Sequence, residues 1–407
     1  MPGDLNFHMR YKTFKLICIF LLTNSFVFAQ SAKKQLAIVN AATLISEKFY
    51  DEIPYTNKLG YITIKVKIDS TEYEYIFDTG GYNTVTTEIM DKEKLSTLME
   101  VEVGSSNQVK STIKLAKVPK LQIGKAIFEG VGVFNFNFTA SPVINCYTNG
   151  GLIGKSVIRE AVWQIDSKND VIRVSDDIQK MPNIDKGQKL KVRLDKVLNP
   201  FVKLAINGKE EEFLLDLGYG GFISLTEKTA LTYNFSDKIL IEGEGDISAN
   251  GIVKENSFLI PLHKLAIGGN EFNKQVAFFS KSNNLNLLGS ELTKYFIITL
   301  DFKNKNLILT PYPNTEEAEY ETFGFSTNIL SDKIYVNKLF NSLSAQKTGL
   351  QLNDEIVSIN DKPIEELKIC DTYFLINNLL KLEKEIRLKV KRNNEFKEFH
   401  ITKQKPF

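Results

Sequence analysis

Two aspartates are set apart because each closes an apolar strand and opens a glycine-containing turn. Asp78 lies in Ile76-Phe77-Asp78-Thr79-Gly80 and Asp216 in Leu214-Leu215-Asp216-Leu217-Gly218. Two carboxyl groups held about 3 Å apart cannot both ionise easily, so their titrations separate and belong to the pair. One then acts as a base toward water while the other, still protonated, acts as an acid toward a carbonyl oxygen. Gly80 and Gly218 let the backbone turn sharply and leave amides to steady the carboxylates. An isolated Asp-Thr-Gly is only a set of turn residues. The surroundings of these two turns point further.

Each aspartate ends the second strand of a hairpin, and the hairpin from Tyr61 to Gly80 lines up with the one from Phe201 to Gly218. The first alternates Ile62, Ile64 and Val66 with Tyr61, Thr63 and Lys65, the period of a half-buried strand. Two later landmarks recur in the same order. Leu121-Gln122-Ile123-Gly124 is matched by Leu265-Ala266-Ile267-Gly268, and Leu152-Ile153-Gly154 followed by Trp163 to Asp166 is matched by Leu287-Leu288-Gly289 followed by Ile298 to Asp301. From the aspartate to the last landmark glycine is 76 residues in the first copy and 73 in the second. Landmarks in one order at near-equal spacing indicate an internal duplication of a mainly β unit.

This duplicated pattern resembles the bilobal, retropepsin-like aspartic proteases of bacteria over about residues 57–312. The resemblance implies a double β-barrel, with an N-terminal segment at 30–56, a first lobe at 57–182 and a second at 183–313. It implies peptide hydrolysis by a water activated between Asp78 and Asp216, with Thr79, Gly80 and Gly218 in support. No metal or organic cofactor is implied, the substrates are polypeptides, and two lobes in one chain imply a monomer. In the family the hydroxyl after each aspartate reaches across to the other lobe. Thr79 has that hydroxyl and Leu217 does not, and Tyr219 is bulkier than Gly81 at the matching position. The departure leaves a second reading open: a catalytically degenerate peptide-binding protein or cell-envelope adaptor. Flap tips over the cleft are expected at Gly104-Ser105-Ser106-Asn107 and Gly243-Glu244-Gly245-Asp246.

A composition change after Pro311-Tyr312-Pro313 and the acidic run from Glu316 to Glu321 marks a boundary. Residues 316–407 are similar to a small α+β bacterial PDZ domain. Phe323-Gly324-Phe325 resembles that family's carboxylate-binding turn and first strand, and Ser344-Ala345 with Gly349 to Asn360 resembles its core. The resemblance makes Cys370 to Leu380 the helix beside the groove. It implies C-terminal peptides added as a strand, with the carboxylate at Gly324 and a hydrophobic last side chain at Phe325. The alternative is a domain packed on the lobes with its groove closed.

The charge balance, 51 Lys+Arg against 49 Asp+Glu, creates no global field for nucleic acid. Three histidines in 407 residues count against zinc enzymes and His-dependent triads. Arg10, Lys12 and Lys15 before the apolar run Leu16 to Leu22, then Val27-Phe28-Ala29, read as a signal peptide over residues 1–29. The expected destination is the periplasm or cell envelope. Beyond that segment only Cys146 and Cys370 remain, in different expected domains, and they are read as inert buried thiols outside any disulfide framework. Phe134, Phe136 and Phe138 alternate with Asn135 and Asn137 and, like Trp163, are expected in the core.

Overall fold

A computed structural model describes residues 32–104, 110–138, 141–233, 235, 237–248, 251–364 and 367–407. The expected signal peptide and the first flap tip, residues 105–107, lie outside the described residues. The fold is mainly β, as expected. Its strands gather into three sheets among the described residues.

The first sheet is built on the hairpin of Tyr61–Ile68 and β1, Thr71–Phe77. Asp69, at φ +49°, makes the tight turn, and Ile68 pairs with Thr71 across it. Strands Lys110–Ile123 and Ala126–Phe136 curl the sheet round a core in which Phe77, Phe128 and Trp163 meet. The short helix α1, Pro142–Tyr147, leads to β2, Gly151–Ile153, and to helix α2, Lys155–Glu160. β2 runs parallel to β1 with Ile153 opposite Phe77.

The second copy repeats this plan. Strand Pro200–Ile206 turns through Asn207 and Gly208, at φ +51° and +80°, into β3, Lys209–Leu215. Left-handed φ at both turn residues is the geometry that suits an Asn-Gly hairpin. The long strand β4, Ile239–Ser248, follows, and β5, Leu287–Leu288, runs parallel to β3 with Leu288 opposite Leu215.

A six-stranded sheet joins the copies, in the order Gln188–Lys191, Asn306–Pro311, Phe296–Asp301, Val162–Asp166, Val171–Ser175 and Tyr50–Pro54. Its centre pairs Trp163 with Leu300 and Ile165 with Ile298. The Ile-Asp landmark of each copy therefore lies next to the other, and the sheet crosses the expected lobe boundary at 182/183. Burial explains the apolar character: all five residues of Val162–Asp166 and all six of Phe296–Asp301 are buried, as strands covered on both faces require.

The C-terminal domain has β6, Phe325–Leu330, antiparallel to β7, Lys333–Phe340, with the helix α3, Ile369–Leu382, and closing strands Glu385–Arg392 and Glu395–Thr402. β7 also pairs with β4, placing Ile241 opposite Phe340 and Gly243 opposite Lys338. This corrects one expectation. Gly243-Glu244-Gly245-Asp246 is the middle of a strand docked on the C-terminal domain, not a flap tip. Glu244 accepts hydrogen bonds from the Tyr335 hydroxyl (2.5 Å), Asn328 Nδ2 (2.8 Å) and Asn337 Nδ2 (3.1 Å). A second correction concerns the cysteines: Cys146 of α1 and Cys370 of α3 form a disulfide. Their separation of 224 residues concealed a pairing that docking of the C-terminal domain on the first lobe creates.

Candidate active site

Parallel pairing delivers the two aspartates. The Asp78 amide donates to the Ile153 carbonyl and the Asp216 amide to the Leu288 carbonyl, each at 2.9 Å. Each landmark strand thus fixes the end of its aspartate strand. Beyond it, the Lys155 amide donates to Gly81 O at 3.1 Å and the Ser290 amide to Tyr219 O at 2.9 Å, tying the turns down.

The half-buried carboxyl groups of Asp78 and Asp216 hydrogen-bond to each other across the lobe boundary. Gly80 and Gly218 make that approach possible. A Cβ on Gly80 would lie 2.6 Å from Cγ of Asp216, and one on Gly218 would lie 2.4 Å from Cγ of Asp78. Each glycine therefore makes room for the carboxyl of the opposite lobe, beyond permitting its own turn.

The two carboxyls differ in support. Asp78 Oδ1 accepts from the Gly80 and Gly81 amides at 2.9 and 2.8 Å. Asp216 Oδ1 accepts from Gly218 at 3.0 Å, while the Tyr219 amide donates to the Asp216 carbonyl instead. Burial raises the Asp78 carboxyl, opposed by the bond from Asp216, the Gly81 and Gly80 amides and the Lys155 charge. Burial raises Asp216 well above the usual carboxylate range, reinforced by the Asp78 charge and by the bond to Asp78. Amide donors stabilise the ionised form, so the charge is better supported at Asp78, with two amides, than at Asp216, with one.

Thr79 is fully buried, and its hydroxyl spans the lobes, donating to Leu215 O at 2.6 Å and accepting from the Leu217 amide at 2.9 Å. Leu217 is also fully buried and belongs to the core cluster that includes Phe77. The missing second hydroxyl is therefore replaced by apolar packing. Phe77 sits edge-on to Trp163 at 5.3 Å, and the Trp163 indole donates to Ile158 O, so the core expectation for Trp163 holds. Phe134 and Phe138 are buried as expected, whereas Phe136 is only half-buried, packed against the cluster that contains Phe134.

Reading the sequence alone missed Lys155. The residue is 3% exposed, and its Nζ bonds to Gly80 O (3.4 Å) and Asn199 Oδ1 and lies 4.1 Å above the Tyr82 ring. Asn199 donates to Asp195 Oδ2 at 2.9 Å, so the contact bridges the lobes. Burial lowers the Lys155 ammonium to about 8, against the charges of Asp78, Asp195 and Asp216. Aligning the copies offered a signal, since Lys155 follows Gly154 where Ser290 follows Gly289.

Residues 322–402 match the family model of the PDZ domain. This part of the chain is a PDZ domain. Its turn residue Gly324 has φ +86°, and the Phe340 amide donates to the Gly324 carbonyl at 2.8 Å. Phe325, expected to line an open peptide pocket, is buried in a cluster that includes residues of α1. The PDZ core also reaches Ile76, two positions before Asp78.

A sequence search of curated proteins found no match. Among solved structures the chain is similar to an aspartic proteinase from Irpex lacteus, at 12% identity over 66% of this chain and 98% of that one, with a TM-score of 0.40. It is similar to Basic 7S globulin from soybean at 9% identity over 64% and 94%, TM-score 0.38. A retropepsin-like aspartic protease from Rickettsia conorii matches at 20% identity over 30% of this chain and 92% of that one, TM-score 0.23. The chemical reading of the site rests on its own geometry.

Proposed function

We propose that the chain is an exported aspartic endopeptidase that hydrolyses peptide bonds with a water held between Asp78 and Asp216, and that its PDZ domain recruits polypeptides by their C-termini. The observation that carries the catalytic reading is the pair itself: two carboxyls from equivalent turns, hydrogen-bonded to each other and unequally supported by amides. Asp78, ionised, takes a proton from the water as its oxygen attacks the peptide carbonyl carbon. Asp216 hands its proton to the carbonyl oxygen, giving a tetrahedral diol. On collapse Asp78 returns its proton to the leaving nitrogen and Asp216 recovers one from a hydroxyl, so the C–N bond breaks and the pair is restored. Export rests on Arg10, Lys12, Lys15 and the apolar run after them.

The test is cleavage of a peptide library, read by mass spectrometry, with wild type and D78N. Asparagine keeps the shape of the turn but removes a titrating group. Wild type is expected to cleave and folded D78N to leave the library intact. Equal turnover by both removes the assignment.

A further inference from the structure

Helix α1 of the first lobe packs against both the strand and the helix that border the groove of the PDZ domain. Val143, Cys146 and Tyr147 of α1 share one apolar cluster with Phe325, Tyr373 and Ile376 of the strand and helix that border the groove. The Tyr147 ring meets Phe374 edge-on at 5.3 Å and Tyr373 at 6.3 Å. Further along, Asn377 Nδ2 donates to Thr327 Oγ1 at 3.0 Å, fastening α3 to β6. The Cys146–Cys370 disulfide closes the arrangement covalently. A peptide that joins β6 as an added strand needs this same space between strand and helix.

We propose that α1 is an intramolecular ligand of the PDZ groove, and that the Cys146–Cys370 disulfide decides whether an outside peptide replaces it. The identity of the outside peptide rests on the recruitment reading above; the occupancy of the groove does not. With the disulfide intact, α1 is held in place covalently. A dithiol reductant opens it: one reductant thiolate attacks a sulfur, the Sγ–Sγ bond breaks, and the resulting mixed disulfide is resolved by the second reductant thiol. Two electrons and two protons pass to Cys146 and Cys370, which become thiols, while the reductant becomes a disulfide. Cys370 is half-buried and Cys146 buried, which makes Cys370 the point of attack.

After reduction α1 still competes as a tethered segment, at an effective concentration on the order of millimolar. A peptide then binds with its intrinsic affinity scaled by the fraction of grooves that α1 has left. Trimming Tyr147, the residue that packs on both aromatic rings of α3, raises that fraction.

The experiment uses the full chain in the D78N background, so that peptide probes stay whole. Fluorescent free-acid peptides ending in Leu, Val or Phe are titrated with and without a dithiol, and against C370S and C370S/Y147A. Hydrogen exchange is followed in parallel over residues 142–147 and 325–330. The expected result is faster exchange in both segments on reduction. Peptide binding should be undetectable in the oxidised chain, present in the reduced chain and in C370S, and about tenfold or more tighter in C370S/Y147A. Faster exchange without peptide binding upholds the occupancy and sinks the recruitment reading instead. Exchange unchanged by reduction, peptide binding equal in oxidised and reduced chains, or free thiols at both positions in protein purified without reductant overturns the proposal.

Discussion

Asp78 leaves its strand into Thr79-Gly80-Gly81, and Asp216 leaves the equivalent strand into Leu217-Gly218-Tyr219. The strands, the parallel partners and the amide bonds that end them are the same in both lobes. The difference lies in the residues just after the aspartates. In the first turn a hydroxyl bridges a carbonyl and an amide of the second lobe. In the second, Leu217 is sealed in the apolar core. One hydroxyl that both donates and accepts is enough to lock the turns together, which leaves the opposite position available for packing. The unequal turns also set the electrostatics, because Gly81 adds an amide to Asp78 that Tyr219 does not add to Asp216.

The largest break in this comparison comes from the carboxyls themselves. D78N and D216N are each expected to lower kcat/KM by about 10²- to 10⁴-fold, the usual worth of a positioned acid or base. Their stabilities distinguish them from unfolded variants. Asp216 has a raised carboxyl in the folded state, so the folded state binds more protons than the unfolded one above the ordinary carboxylate range. Its contribution to stability is present in acid and is lost as pH rises through the folded value. D216N escapes that loss, so its unfolding midpoint relative to wild type should climb from pH 4 to pH 7. A difference that stays flat with pH rules out a raised Asp216.

The hydroxyl is next. T79V leaves Leu215 O and the Leu217 amide without their shared partner, and should cost about 2–3 kcal/mol in urea unfolding. L217T trims buried apolar surface but offers a second bridging hydroxyl. Losing about two methylene equivalents against one new bond gives a net cost of about 1 kcal/mol with activity kept. An L217T cost of about 3 kcal/mol or more would mean that the new hydroxyl is buried without a partner; a T79V as stable as wild type would show that the Thr79 hydroxyl does not lock the turns.

The smallest expected effect is electrostatic. The Lys155 charge lowers both carboxyls, so K155M should move the pH profile of kcat/KM to higher pH with modest change at its maximum. A profile that does not move disconnects Lys155 from the pair.

Much of the site was legible because local pattern encodes it. Apolar-apolar-Asp-x-Gly at a strand end is a sufficient description of a turn that presents a carboxyl, and its duplication points to two of them. The groove elements of the PDZ domain, with Gly324 in the left-handed region, were legible for the same reason. The flap expectation at Gly243 failed on equally local grounds: glycine and acidic residues read as an exposed tip, whereas Glu244 is anchored by Tyr335, Asn328 and Asn337. Lys155 was hidden because a lone lysine after a glycine reads as surface, and only the packing of two lobes buries it between Tyr82 and Asn199.

The amino-acid sequence by itself determined the mainly β duplication, the two aspartates with their glycines and Thr79, and the place of the PDZ domain, since these depend on residue type, short-range spacing and periodicity. Only the tertiary structure decided which elements from distant parts of the chain meet. It paired the two Ile-Asp strands in one shared sheet, laid β4 along β7, packed α1 against β6 and α3, and brought Cys146 to Cys370. Those contacts arise from rigid packing of whole domains, where burial of apolar faces is non-directional and selects partners by shape, and no local pattern in the chain announces which faces will find each other.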